Sequence, residues 1–204
     1  MAIPESRRQK QLARKRKKEK ERKTLRETWS AASQIVMAAK APIHECLVSG
    51  DLFDVGIGNL VFSRALPDGR IALGMFLADV YCLGIKNAFF AIVEADTYAK
   101  RLSMLPGADG FRHVHPACLR KLVEGAAAYA DNLGFKPHPD YAAARQIFGD
   151  VEAAACPEHF EYGHEGKPFY ISGPNETAAQ SRAIVEQLQR RLGEGKFEYV
   201  VHVG

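Results

Sequence analysis

Four side chains in the first half of the chain have the types that acid–base chemistry uses. Asp79 lies inside the apolar run from residue 71 to 93, and Cys82 follows it by three residues. His44 and Cys46 stand two residues apart in an extended pattern, so a regular strand would point both to one face. A desolvated carboxylate near an imidazole and a thiol can act as a general base. One hypothesis is therefore a small hydrolase or acid–base enzyme built around Asp79, His44 and either Cys46 or Cys82.

Asp79 also has a structural interpretation, which the sequence favours. An unpaired buried charge is costly, so this carboxylate needs a partner, and the candidates are Lys86, Arg64 and His44. It could equally cap a loop. No catalytic motif surrounds Asp79, and buried ion-pair networks are common. The sequence therefore leaves open whether the protein is an enzyme.

Zinc-type ligands occur in two groups, but their spacing does not predict a metal site. Neither group contains a CxxC pair, and about forty residues separate them. The histidines could equally be exposed loop residues. The two groups are His113, His115 and Cys118, and then Cys156 and His159.

Nucleotide-binding motifs are absent, so we expect no cofactor. Gly56 and Gly58 lack the third glycine of a dinucleotide fingerprint, and neither GxxxxGK[ST] nor GxSxG occurs. The segment from Ser172 to Asn175 precedes a predicted helix whose first amides could bind an anion. A simple helix cap is the commoner role of such a segment.

Positive charge is concentrated in the first 26 residues. Twelve Lys and Arg against three Glu give this segment a net charge of +9, and the remainder carries −5 because the whole chain is +4. Each cation can neutralise a phosphate and release a counterion. With no aromatic side chain to stack on bases, binding would follow backbone charge rather than base sequence. The predicted nucleic-acid-binding residues are Arg7, Arg8, Lys10, Arg14, Lys15, Arg16, Lys17, Lys18, Lys20, Arg22, Lys23 and Arg26.

The preferred functional hypothesis follows from this charge. We expect a non-enzymatic nucleic-acid-associated protein, RNA- or ribosome-associated in the favoured version, that uses the basic N-terminal segment as an arm. The acidic remainder would contact a protein partner or dock by shape. A solubilising terminus is the alternative for the arm, and a partner-binding module using residues 160–172 is a third option.

Compartment and membrane expectations come from the cysteines and the apolar run. Cys46, Cys82, Cys118 and Cys156 are too widely spaced for the disulfide framework of a secreted protein, and no apolar export segment lies near the start. A reducing cytoplasm is the expected compartment. Asp79 and Lys86 interrupt the run at 71–93, which predicts buried sheet rather than a membrane span.

The element pattern predicts an α+β fold with a mixed, mainly antiparallel sheet flanked by helices. A basic, disordered arm (1–26) and a connecting helix (27–41), which Pro42 ends, precede a single domain (42–204). The helix would dock through Trp29, Ala32, Ile35, Val36 and Ala39. Extended patterns cover 43–48, 59–66 and 71–85, with a turn at 66–70. Further predictions are helices at 116–133, 141–148 and 176–192, a second hairpin at 160–172 and a closing strand at 196–203.

Six phrases carry a resemblance to a known group of proteins. They are PIHEC (42–46), VFSR (61–64), PDGR (67–70), GMFLADVYCLGIKN (74–87), LGFKPHPD (133–140) and GKPFYISGPN (166–175). In this order they resemble a bacterial protein family that carries no assigned activity. The resemblance covers most of residues 42–175 and implies a bacterial origin and one intact domain. It transfers no catalytic or binding role to any residue.

Overall fold

A five-stranded antiparallel sheet forms the centre of the molecule. The computed structural model describes residues 17–18, 33–107 and 110–201. The strands are β1 (Ile43–Ser49), β2 (Ile57–Ala65), β3 (Ile71–Asp79), β4 (Gly84–Val93) and β5 (Phe111–His113), in the order β4-β3-β2-β1-β5. Helices flank this sheet, so the predicted α+β fold class with a mainly antiparallel sheet is confirmed.

Strand β3 lies inside the sheet, between β4 and β2, and both of its faces are apolar. Residues Ile71, Leu73 and Met75 belong to one core cluster, and Ala72, Phe76 and Ala78 to the other. The turn at 66–70 joins β2 to β3 as the sequence predicts. The apolar run divides, however, into β3, a turn at 80–83 and β4. The described residues contain no helix that is long and apolar enough to cross a bilayer.

Helices cover both faces of the sheet. Helix α1 occupies residues 33–38, a single turn forms α2 (Leu52–Val55), and α3 (Ala95–Ser103) covers one face through Tyr98. Helix α4 (Pro116–Asn132) covers the other face and is followed by α5 (Tyr141–Ala144), whose chain continues as a 3₁₀ turn to Phe148. The predicted helices at 116–133 and 141–148 are thus confirmed to within a residue or two.

The connecting helix docks differently from its predicted face. Ile35 and Ala39 are buried as expected, but Val36 is half exposed and Ala38 is buried in its place. Trp29 and Ala32 lie outside the described residues.

The last third of the chain contains the largest difference from prediction. Residues 160–172 do not form a hairpin, because only His164 and Lys167 pair across a tight turn. Strand β6 (Phe169–Ile171) instead pairs in parallel with β7 (Glu198–Val200), and α6 (Ala178–Leu192) connects them. Helix α6 begins two residues later than predicted, since Thr177 and Gln180 form a capping box.

Two of the four cysteines are joined, which the sequence analysis did not foresee. A disulfide links Cys118, in the first turn of α4, to Cys156, while Cys46 and Cys82 are free and buried. It ties the loop after the 3₁₀ turn to α4. The two partners are 38 residues apart, a spacing that carries no recognisable pairing signal.

Candidate functional site

Asp79 ends β3 and organises the turn into β4. Its Oδ1 accepts hydrogen bonds from the backbone amides of Tyr81 at 3.1 Å and Cys82 at 2.8 Å. A chain that reverses direction leaves such amides without ladder partners, and an Asp at this position supplies the acceptor. The favoured structural interpretation, that Asp79 caps a loop, thus describes one of its contacts.

The pKa of the Asp79 carboxyl is nevertheless unusual for an aspartate. The side chain is 7% exposed, and burial raises its pKa to about 6. The amide of Cys82 and the charge of Lys86 oppose this shift without cancelling it. Asp79 therefore changes its charge close to neutral pH.

Lys86 pairs with a glutamate that the sequence analysis missed. Its Nζ lies 2.6 Å from Oε1 of Glu176, and the side chains retain only 20% and 17% exposure. The other oxygen, Oε2, accepts from Tyr170 Oη at 2.5 Å. Burial would raise the pKa of Glu176, but the hydrogen bonds from Lys86 and Tyr170 lower it overall, so Glu176 is ionised. Ninety residues separate the two partners, and no local pattern links them.

A cavity of about 180 Å³ opens beside these groups. Its walls come from the start of β2, the end of β3, the start of β4 and the chain around β6, and they include Asp79, Tyr81, Lys86, Phe169, Ile171 and Ser172. Gly56 closes one side in the left-handed region with φ of 81°, and a β-carbon there would lie 2.1 Å from the Tyr81 ring. Glycine is required here for both reasons.

Cys82 lies next to Asp79 but is not prepared as a nucleophile. It is fully buried, and burial together with the charge of Asp79 raises the pKa of its thiol. The thiolate is the reactive form of cysteine, and this environment disfavours it.

His44 and Cys46 lie at the other end of the sheet, so the proposed centre with Asp79 is not assembled. The distance between the two places can be counted along β2, because Ile43 pairs with Arg64 and Asp79 pairs with Ile57. At about 3.3 Å per residue, the seven steps from Ile57 to Arg64 span roughly 23 Å, and Cys46, which pairs with Phe62, lies five steps or roughly 17 Å from the Asp79 end. This part of the sequence hypothesis is corrected by the sheet register.

A register irregularity in β1 also separates His44 from Cys46. It falls between Ile43 and Cys46 and breaks the strict alternation that the sequence analysis assumed. The His44 ring meets Tyr98 edge-on at 5.5 Å, on the α3 side of the sheet. Cys46 belongs to the core cluster on the opposite side, where burial raises the pKa of its thiol to about 12.

Arg64, a predicted partner of Asp79, has a different role. It is 3% exposed and donates to the carbonyls of Ala41, Ile147 and Phe148 at 2.6 to 2.8 Å. The carbonyl of Ala41 follows α1, and those of Ile147 and Phe148 end the 3₁₀ turn. Helix ends leave such acceptors without partners inside the helix. Of the three predicted partners, only Lys86 acts on Asp79, through its charge.

The zinc-type residues do not converge on a metal centre. Cys118 and Cys156 are joined to each other, and His115 caps α4 by accepting the amide of Ala117. The His113 side chain is 75% exposed and lies 4.0 Å from Glu45. His159 is exposed. The described ranges hold no group of three or more His, Cys, Asp or Glu side chains that could hold a metal ion.

The remaining predicted sites divide between a loop and the arm. Residues 172–174 line the cavity and Asn175 follows them before α6, but the first amides of α6 receive their cap from Thr177. Of the basic arm, Lys17 and Lys18 are exposed in a helical conformation. The other predicted nucleic-acid-binding residues, Arg7, Arg8, Lys10, Arg14, Lys15, Arg16, Lys20, Arg22, Lys23 and Arg26, lie outside the described residues.

Comparison of the chain with models of protein families, with curated proteins and with solved structures gives no match. The charge distribution and the geometry of the chain itself therefore carry the functional argument.

Proposed function

We propose that the protein is a non-enzymatic nucleic-acid-associated protein whose basic arm, residues 1–26, binds the phosphate backbone. The observation that carries this proposal is the charge division: +9 in the first 26 residues against −5 in the rest. A segment with this density of cations attracts polyanions by counterion release. The acidic remainder would repel the same polyanion, which favours contact through the arm alone.

RNA is the favoured nucleic acid, and the arm's composition defines what it can recognise. It contains no aromatic residue, so it offers no stacking surface to unpaired bases. We therefore infer recognition of closely spaced phosphates, as in structured RNA, with little dependence on base sequence. A protein partner on the acidic remainder belongs to the same proposal.

The acid–base enzyme is not part of the proposal. His44 and Cys46 lie away from Asp79, and Cys82 has a raised thiol pKa. The hypothesis retains only Asp79 of its original four residues. A single buried carboxylate without an activated nucleophile beside it does not define a reaction.

The test is a salt titration of binding. Fluorescence anisotropy with labelled duplex RNA and duplex DNA of equal length is measured from 50 to 200 mM KCl. We expect affinity to fall by about 10³-fold or more across this range, with two RNA sequences behaving alike. A variant lacking residues 1–26 should lose binding.

Two controls separate charge from sequence. A variant with Lys15, Lys17, Lys18 and Lys20 changed to Gln should bind more weakly and show a shallower salt slope. A variant with the same arm composition in shuffled order should bind as the natural protein does. Binding that survives removal of the arm, or that does not respond to salt, refutes the proposal.

A further inference from the structure

Strand β4 forms one edge of the central sheet, and the ladder shows which of its backbone groups point outward. Across the β2–β3 turn the amide of Leu66 donates to the carbonyl of Arg70, and on the other side of β2 the amide of Ala65 donates to the carbonyl of Pro42. Even-numbered residues of β2 therefore bond to β3, and odd-numbered ones bond to β1. Continued through β3, the same alternation turns every second residue of β4 outward. These residues are Ala88, Phe90 and Ile92.

The edge of β4 lacks the usual protection of an edge strand. Within the described ranges, the only backbone hydrogen bond that β4 receives from outside its ladder runs from the amide of His138 to the carbonyl of Ile85, at the start of the strand. Residues 87–93 contain no charged residue and no proline, which are common protective features of sheet edges. The opposite edge is protected, because β5 has three residues and carries Arg112. The edge of β4 is therefore a surface for pairing with another strand.

The outward residues of β4 are complementary to a second copy of themselves. In an antiparallel pair, two directly opposite residues either both bond to each other or both point away. A two-fold axis at Phe90 meets this condition, because Phe90 then faces Phe90 and Ala88 faces Ile92. All outward groups of both copies gain partners in this register.

Charges at the two ends of this stretch favour the antiparallel alignment. Lys86 precedes residues 87–93, and Glu94, which is exposed, follows them. Around an axis at Phe90, the Lys86 end of one copy lies beside Glu94 of the other. Since Lys86 pairs with Glu176 at 2.6 Å, Glu94 approaches a neutral ion pair rather than a like charge. A parallel alignment would instead bring Glu94 against Glu94.

An apolar groove beside Ile92 enlarges the surface. It measures about 610 Å³ and lies between α1, the β2–β3 turn and β4, with Met37 of α1 69% exposed at its wall. On the same face of the sheet, Tyr141 of α5 meets the ring of Phe76, which is the cross-strand neighbour of Ala88. Because Ala88 of one copy faces Ile92 of the other, α5 of the second copy lies beside the groove. Stable interfaces bury about 800 Å² per partner, and this helix contact adds apolar area to the strand contact.

We propose that the protein forms a two-fold symmetric dimer in which β4 of one copy pairs antiparallel with β4 of the other and joins the two sheets into one. The occupant of the edge is thus a second copy of this chain. Each copy presents the same residues, so the contact closes at two copies. This inference does not depend on nucleic-acid binding by the arm.

The molar mass of the full chain, measured by size-exclusion chromatography with light scattering, tests the dimer. A buffer with about 0.5 M KCl keeps nucleic acid off the arm, so that bound polyanion does not add to the mass. At about 100 µM protein we expect twice the 22.5 kDa of one chain, with a fall toward one chain on dilution. The mass of a single chain at every concentration would overturn the inference.

Opposite charges at residue 91 test whether β4 is the contact. Ala91 is partly exposed, and an axis at Phe90 makes the two copies of residue 91 diagonal neighbours about 7–8 Å apart. Ala91→Lys and Ala91→Glu should each raise the dissociation constant of the dimer at least tenfold, because like charges meet. An equimolar mixture of the two variants should restore the dimer mass. Ala154→Lys and Ala154→Glu are the matched controls, since Ala154 is exposed in the loop that the disulfide ties to α4, and they should leave the mass unchanged.

A distance measurement decides the register and does not require the charged variants to fold. Asn87 is exposed, and Asn87→Cys can carry a spin label, while the natural free thiols of Cys46 and Cys82 are buried. An axis at Phe90 separates the two copies of residue 87 by six steps along the strands, or roughly 20 Å. Pulsed electron paramagnetic resonance measures this distance. A dimer without it, or one that charges at residue 91 do not weaken, would place the contact elsewhere and overturn the inference.

Discussion

Arg64 shows how a single buried cation can hold separate parts of the chain together. Its guanidinium lies between the end of α1 and the 3₁₀ turn at residues 145–148 and donates to three carbonyls. Burial lowers the pKa of Arg64, and the charge of Asp150 raises it. The planar guanidinium of an arginine suits three fixed acceptors better than the flexible ammonium group of a lysine would.

Replacing Arg64 should destabilise the fold strongly. Arg64→Met keeps much of the side-chain length but leaves three carbonyls unpaired, so we expect the free energy of unfolding to fall by about 3 kcal/mol. Urea denaturation followed by circular dichroism measures this. Arg70→Met is the matched control, because Arg70 lies exposed in the β2–β3 turn beside Asp68, and it should leave the free energy of unfolding almost unchanged. Equal effects of the two changes would contradict the assigned role.

Asp79 should make stability fall as pH rises. Its pKa is about 6 in the folded protein and 3.8 in an unfolded chain, so the folded state keeps a proton that the unfolded state loses between these values. Relative to Asp79→Asn, the natural protein should lose about 2 kcal/mol of stability between pH 4 and pH 8. Chemical denaturation of the natural protein and of Asp79→Asn at several pH values measures the difference. The opposite slope would show that the turn amides outweigh burial.

The sequence could predict that Asp79 is buried and needs a partner, but not which partner it has. Burial follows from its position in an apolar run, whereas Glu176 reaches Lys86 only through the tertiary fold. A search of the sequence for oppositely charged side chains does not find backbone amides, which are the hydrogen-bond partners of Asp79 in the turn. The pairing of His44 with Cys46 failed because one register irregularity in β1 is enough to reverse which face a side chain occupies.

At the scale of elements, local patterns predicted local structure. The β2–β3 hairpin has Pro67 and Gly69 in its turn, and α4 has Pro116 at its first position and an apolar stripe through Leu119 and Leu122. The parallel pairing of β6 with β7 is different, since each strand has three residues and the partners lie about thirty residues apart. Short strands of this kind carry no pattern that specifies a distant partner.

The disulfide is the element-scale feature with the largest expected effect on stability. Closing a loop of 38 residues reduces the entropy of the unfolded chain, which corresponds to about 4 kcal/mol. Cys118→Ala together with Cys156→Ala should therefore lower the free energy of unfolding by about 2–4 kcal/mol in urea denaturation. Cys46→Ala is the control, and it should leave the bond between Cys118 and Cys156 intact.

Thiol counting tests the bond itself. Titration with a thiol reagent in denaturant, without reductant, should find two free thiols, Cys46 and Cys82, and four after reduction. If protein isolated under alkylating conditions carries four alkylated cysteines, the bond is not formed. A formed bond would also count against the expected reducing cytoplasm, where disulfides are rare.

At the scale of the molecule, packing and charge occupy different parts of the chain. The described core extends from Ile35 to Phe197 and includes both faces of the sheet and the cluster around Tyr170. The twelve cations of the arm all precede residue 27. Apolar burial supplies most folding free energy, and exposed charges supply little. The arm should therefore contribute to binding and not to the stability of the fold.

Removal of residues 1–26 tests this division directly. We expect the shortened chain to unfold at the same urea concentration, within about 0.5 kcal/mol, because every buried residue that the structure describes remains. Its net charge should change from +4 to −5, so it should leave a cation-exchange column unbound at pH 7.5 and bind an anion exchanger. A large loss of stability would mean that the arm is held by the acidic surface of its own molecule. Such an intramolecular contact would compete with phosphate for the same cations and weaken nucleic-acid binding in proportion to its strength.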